Sequence, residues 1–359
     1  MARDEAGGAV NSAAADFGVC EGRDGWLFLV GGNNDVAAQF RETELTTNLV
    51  QMWRQAVIAR LRRARRLGMA YRHIVVPEKL TVYDDRLPEL GIDVRLSPFV
   101  RLRASFFRRP AVWRGPRAFA DAVLGRRACL DLVGAMRARR SAEDLYFRTD
   151  THWTLPGVRV AYRALCRALG ARPRRDFVER PCREMEFAGD LGTKFEPHRT
   201  ERVRRYSLQR DAVRIYANPI VEARETLGQA DTLHGGSHMV YRNEAPDADP
   251  RRIVLFGDSQ AQTGLTIMLA ETFREVHFIW SPAVDWGYVE RVRPDVLLTE
   301  IAERFMMQLP DDTFDLDSYV QRRFGEELAA WERLRAGPDA LRPVPPPPAT
   351  EVGWTLRTP

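Results

Sequence analysis

Val254-Leu255-Phe256-Gly257-Asp258-Ser259 carries an apolar run into a Gly-Asp turn and ends on a serine, with a helical pattern behind it. The run opens at Ile253 and has the length and character of a strand buried on both faces. Gly257 lets the backbone turn without a Cβ clash. The turn would set Ser259 at the carboxyl end of its strand, where open α/β sheets place their ligands. It would also set the serine at a helix N-terminus, where N–H groups and the helix dipole favour a developing negative charge. Gly257 and Asp258 thereby become candidates for shaping such a site or its oxyanion pocket. The plain alternative is a common turn tripeptide in which Asp258 or Ser259 caps a helix.

Outward from this stretch the chain alternates strands and helices. Leu49, Trp53, Val57 and Leu61 recur at helical spacing up to Gly68, and His73-Ile74-Val75-Val76-Pro77 reads as a short buried strand. Leu130 to Val133 is a further strand candidate. Leu155, Val158, Tyr162, Leu165 and Leu169 form a helical stripe behind Thr154, a candidate N-cap. After the serine, Leu265, Met268, Leu269 and Phe273 read as a helix, and Val276 to Trp280 and Val296 to Leu298 as strands. The pattern predicts an α/β fold with a mostly parallel sheet flanked by helices. Residues 176–250 break the rhythm with short alternating pieces such as Val213 to Tyr216, and are expected to form a β-rich excursion. Residues 1–20 read as a disordered N-terminus, 21–336 as one domain, and 337–359, with its Arg-Pro-Val-Pro-Pro-Pro-Pro run, as a proline-rich tail.

The 359 residues suffice for a sizeable core. The net charge of +5 is almost entirely an arginine excess, concentrated in Arg60 to Arg66 and Arg172 to Arg175. Such runs are usually solvated faces, with weak attraction to anionic polymers as the alternative. No nucleic-acid motif accompanies them, which sets that class of partner aside. Cys20, Cys129, Cys166 and Cys182 form no C-x-x-C pair, so neither zinc nor redox chemistry is indicated, and Cys129 and Cys166 read as core thiols. No cofactor is expected. There is no signal peptide and no run of about twenty apolar residues, so the chain as written is expected in the cytoplasm. A start further upstream would reopen export.

The second chemical signal is Tyr146-Phe147-Arg148-Thr149-Asp150-Thr151-His152-Trp153-Thr154. A serine nucleophile needs a base, and the base needs an orienting carboxylate. Asp150-x-His152 supplies both, unless His152 is structural or shares a metal with Asp150. His234-Gly-Gly-Ser-His238 has the spacing of a helical zinc pair, but two glycines argue for a loop. His73 reads as a core histidine. Glu300 and Arg304, four residues apart, read as an internal ion pair one helical turn long.

Taken together the segments resemble the SGNH hydrolase-like domain of the alginate O-acetyltransferases AlgJ and AlgX. The resemblance rests on Gly22-Arg23-Asp24-Gly25-Trp26-Leu27-Phe28, on Val75-Val76-Pro77-Glu78-Lys79 with Tyr83 and Leu87-Pro88, and on Tyr146 to Trp153 with Gly157. Phe256 to Ser259 and Thr299 to Phe305 complete it. As in that family, Asp-x-His precedes the serine, by about a hundred residues here. The resemblance implies an SGNH fold, with Ser259 as nucleophile, His152 as base and Asp150 as its partner. Gly189-Asp190-Leu191 resembles the family's Gly-Asp-Leu segment, and with Trp153 implies site-shaping roles. Gln260 follows the serine where an aromatic residue is usual, and Phe305 stands where tyrosine is common. The implied function is O-acetyl transfer to a polysaccharide through an acyl-serine. A carbohydrate acetyl esterase or a catalytically silent carbohydrate-binding protein are the rivals. The implied partners are a carbohydrate acceptor, an acyl donor and a membrane-bound O-acyltransferase, and the implied compartment is the periplasm.

Overall fold

The computed structural model describes residues 18–107 and 115–336. Its strands are β1 (Val19–Glu21), β2 (Leu27–Leu29), β3 (Ala70–Val76), β4 (Cys182–Phe187), β5 (Glu201–Tyr206), β6 (Ala212–Ala217), β7 (His238–Asn243), β8 (Asp249–Gly257), β9 (Phe273–Trp280) and β10 (Val296–Ala302). Six of them form one sheet in the order β3-β10-β8-β9-β7-β6. The pairs β3–β10, β10–β8 and β8–β9 are parallel, whereas β9–β7 and β7–β6 are antiparallel. The sheet is therefore mixed, with a parallel half that carries the serine turn.

Helices cover both faces. The helices named below are α1 (Glu44–Arg66), α2 (Pro116–Ala128), α3 (Leu132–Arg137), α4 (Leu155–Leu169), α5 (Trp286–Val292) and α6 (Leu316–Ala336). One core places Val158, Tyr162 and Leu165 of α4 against Leu255, Val276, Phe278 and Leu298. The other places Trp53, Val57 and Leu61 of α1 and Val320 and Phe324 of α6 against Val254, Phe256 and Leu297. Alternate residues of β8 thus enter opposite cores, as the period of a strand requires. Thr154 caps α4 by accepting from Gly157 N, with Pro156 in the first turn. Among the described residues, no helix is long and apolar enough to cross a membrane.

Several expectations are corrected. Residues 1–17 and 337–359 lie outside the described residues, but Val19 and Cys20 belong to β1, because Val19 packs on Leu27, Leu191 and Phe195. Only part of the 176–250 excursion stands apart, as the β4–β5 pair; β6 and β7 extend the main sheet. Cys129 makes a single bridge to His73, after which Asp131 caps α3, so Leu130 to Val133 is no strand. Phe273 opens β9, since its helix stops at Ala270 and the ring turns into the core. Arg60 is buried rather than solvated, on the core stripe of α1 and bidentate to Asp312 at 2.8 and 2.6 Å. Glu300 and Arg304 are not paired: Glu300 lies within β10, and Arg304 beyond it bonds Glu78 at 2.9 Å. His73 is a core histidine on Thr299 Oγ1, and burial pushes it down to about 3.

Candidate active site

The site lies at the carboxyl edge of β8, β10 and β3. Ser259 follows the Gly257–Asp258 turn and begins the helical stretch that continues as a wide π turn over Ala261–Leu265. Such turns recur at functional sites. The turn is tied from below: Asp258 N–H donates to Glu300 Oε2 at 2.9 Å, and the Asp258 carboxylate accepts Gln260 N–H at 2.8 Å and Ala302 N–H at 2.7 Å. Gly257 is required by space, since a Cβ there would lie 2.7 Å from both Ala261 Cβ and Glu300 Oε2.

The Asp150–His152 loop is a tight excursion closed by a bridge between Tyr146 and Trp153, with Phe147 N–H on the His152 carbonyl at 3.2 Å. Tyr146 anchors it by donating to the Pro77 carbonyl at 2.5 Å. Within the loop, His152 Nδ1 lies 2.6 Å from Asp150 Oδ1, and His152 Nε2 lies 2.9 Å from Ser259 Oγ. A carboxylate only accepts, so Nδ1 carries the proton and Nε2 turns its lone pair to the serine hydroxyl. The other Asp150 oxygen accepts Asp190 N–H at 2.8 Å. Burial by itself would lower the His152 pKa; the Asp150 charge and hydrogen bond, with Asp190 behind them, outweigh it and raise the imidazole above its ordinary value.

Asp190 accepts Thr151 N–H at 2.7 Å and Thr151 Oγ1–H at 2.5 Å, and stands 4.0 Å from His152 Nδ1. Gly189 admits the backbone of Asp150, whose Cβ would lie 2.2 Å from a Cβ at that glycine. Trp153 is fully buried and donates Nε1–H to the Gln260 carbonyl at 3.1 Å. The N–H groups of Asp258, Gly189 and Asp190 all end on carboxyl or hydroxyl oxygens. Asp150, His152 and Asp190 each offer a ligand atom within 4.8 Å of the others. A cation held there would compete with the Asp150–His152 hydrogen bond for Nδ1.

Three charged residues at this edge, Lys79, Glu300 and Arg304, were not placed at the site by the sequence. Lys79, 3% exposed, donates Nζ–H to the Leu27 carbonyl at 2.7 Å and the Arg148 carbonyl at 3.1 Å, and so clamps the β2 segment to the Asp150 loop. Burial brings it down to about 8. Arg304 carries Glu78, and the charges of Asp258 and Asp190 also act on it. Glu300 lies under the serine turn. The signal available for all three was a charge inside an apolar run, which a fold must either pair or neutralise.

Residues 117–283 match the family model described as SGNH hydrolase-like domain, acetyltransferase AlgX. The fold is similar to the O-acetyltransferase domain of Pseudomonas putida AlgJ, with 16% identity, 85% of this chain and 98% of that chain covered, and a TM-score of 0.50. It is likewise similar to Bacillus cereus PatB1, with 13% identity, 81% of this chain and 99% of that chain covered, and a TM-score of 0.54. Comparison with curated proteins finds no match.

Proposed function

For a chain with an SGNH hydrolase-like domain of the AlgX and AlgJ type, we propose O-acetyl transfer to a polysaccharide through an acyl-serine on Ser259. The observation that carries the reading is the unbroken contact from Asp150 Oδ1 through the His152 ring to Ser259 Oγ, at 2.6 and 2.9 Å. In the first half, Ser259 Oγ attacks the donor's acyl carbon while its proton passes to His152 Nε2. The bond to the donor oxygen breaks, and that oxygen leaves with the proton from His152. In the second half, an acceptor hydroxyl gives its proton to His152 and attacks the acyl-serine, which releases the ester and a reprotonated serine. Asp150 holds the tautomer and balances the transient imidazolium. The acyl donor, the saccharide acceptor and a membrane-bound acyl-supplying partner belong to this proposal.

The experiment incubates the purified chain with a chromogenic acetyl ester, with and without oligosaccharide acceptors. Expected are release of the chromophore and acetylated saccharide by mass spectrometry. Chromophore release with acetate as the only acyl product would make the chain an esterase on the same serine. No release from any acetyl ester would favour a silent carbohydrate-binding protein.

A further inference from the structure

Glu300 stands inside the apolar run Val296-Leu297-Leu298-Thr299-Glu300-Ile301-Ala302 and is 1% exposed. Its Oε2 accepts Asp258 N–H at 2.9 Å. That donor immediately precedes Ser259 in the chain. Asp258 in turn accepts the N–H groups of Gln260 and Ala302 at 2.8 and 2.7 Å. The main-chain donors around the serine thus end on two buried carboxyl groups. Both carboxyl groups are buried, and the Asp258 main chain sits directly on Glu300, so they share one enclosed space. Gly257 leaves no room between them and the helix, as its 2.7 Å distances show.

Two carboxylates in one buried space repel strongly, so one of them keeps its proton. The charge belongs on Asp258. Both of its oxygens accept short main-chain bonds, and the Arg304 cation acts on it. Glu300 keeps an oxygen, Oε1, that is buried and, among the described residues, has no hydrogen-bond partner. We propose that Glu300 is a positioning residue for Ser259, an uncharged buried acid that accepts the N–H group just before the serine and so holds the turn. The inference rests on Ser259 being the nucleophile. Burial first, and then the Asp258 charge, hold Glu300 well above the carboxylate range.

Glutamine offers the same reach and a carbonyl acceptor for Asp258 N–H, so Glu300→Gln preserves the arrangement. Leucine fills the space but leaves the Asp258 N–H group without an acceptor. The charges facing the pair are Arg304 beyond β10 and, acting on Arg304, Glu78 at the β3 edge and Asp190 on the opposite loop. His152 faces the serine from the same side.

The test compares wild type, Glu300→Gln, Glu300→Leu and Ser259→Ala. It follows acetyl-ester turnover and the rate at which methanesulfonyl fluoride modifies Ser259, read by intact mass, from about pH 6 to about pH 10. Expected near neutrality are rates within about threefold of wild type for Glu300→Gln and a loss of about 100-fold for Glu300→Leu in both readouts, with KM unchanged. A folded Glu300→Gln protein as slow as Glu300→Leu overturns the inference, as does Glu300→Leu at wild-type rates. If Glu300→Leu fails to fold, Glu300→Met takes its place with the same expected loss, because it too lacks an acceptor for Asp258 N–H. Inert Ser259→Ala beside indifferent Glu300 variants sinks this inference alone; active Ser259→Ala sinks the serine reading and this inference with it.

Discussion

Trp153 Nε1–H donates to the Gln260 carbonyl at 3.1 Å, and Gln260 Nε2–H returns to the Thr151 carbonyl at 3.1 Å. Thr151 and Trp153 bracket His152, and Gln260 follows Ser259. The two bonds therefore fix the distance between His152 and Ser259 through their chain neighbours. All of Thr151, Trp153 and Gln260 are buried, where such bonds have little competition from water. The serine and histidine meet because two loops are stitched together on either side of them.

Ser259→Ala should leave that stitching intact, since the bonds involve the neighbours and the serine side chain is small. Acetyl-ester turnover should fall by several orders of magnitude, because the attacking oxygen is gone. Turnover and thermal melting measured on the same preparation check this. A protein that melts like wild type and still turns over at the wild-type rate would remove Ser259 from the reaction.

The pH profile tests the base separately. His152 must be neutral to accept the serine proton, and Asp150 raises its pKa above the ordinary 6.5 despite burial. Activity should therefore be lost as pH falls, with an apparent pKa above that value. Asp150→Asn removes the raising charge and can hold the wrong tautomer. Its rate should drop by about 10⁴-fold, and the acid limb of the residual activity should move to lower pH. A wild-type profile that stays flat down to about pH 5 would exclude a histidine base of this kind.

Chelation separates the serine route from a metal route through the same residues. With Nδ1 engaged by Asp150 and Nε2 by Ser259, the imidazole is already committed at both nitrogens. Prolonged dialysis against a chelator should leave turnover unchanged, measured against an untreated control. Loss of activity with recovery on adding zinc, and zinc bound through Asp150 and His152, would replace the acyl-serine by a metal-activated water.

What could be read from the sequence was local. Gly257-Asp258-Ser259 and Asp150-x-His152 announce themselves because turn, cap and partner lie within a few residues. The Thr154 cap and the α4 stripe were legible for the same reason. The β6 strand was visible as the alternating Val213 to Tyr216, whereas β7 opens at His238, in a stretch whose glycines pointed to a loop, and its place in the main sheet depends on β9, about forty residues further along. Glu300 and Arg304 were read at helical spacing, when Glu300 belongs to a strand whose register sets it against the serine turn. The partner of Arg304 is Glu78, and no local pattern joins residues separated by 226 positions. Charges in apolar runs mark such places, although they do not say which partner neutralises them.

Gly189 allows the shape of the Asp150 pocket to be tested without touching a polar group. A Cβ at that position would meet Asp150 Cβ at 2.2 Å, the Thr149 carbonyl oxygen at 2.5 Å and Asp150 Cα at 2.7 Å. Two of these are backbone atoms, which cannot move aside as a flexible side chain would. Gly189→Ala should thus push Asp150 away from His152, at a cost of about 1–3 kcal/mol in stability. Since a displacement of about 1 Å can cost about 100-fold in rate, kcat should fall by that order with KM little changed. Gly125→Ala supplies the control: its Cβ would lie 2.5 Å from the Phe106 ring, in the α2 packing away from the triad. It should lower the melting temperature while the folded enzyme keeps its kcat. Equal loss of kcat per folded molecule in both variants would mean that general destabilisation, and not the placement of Asp150, governs the rate.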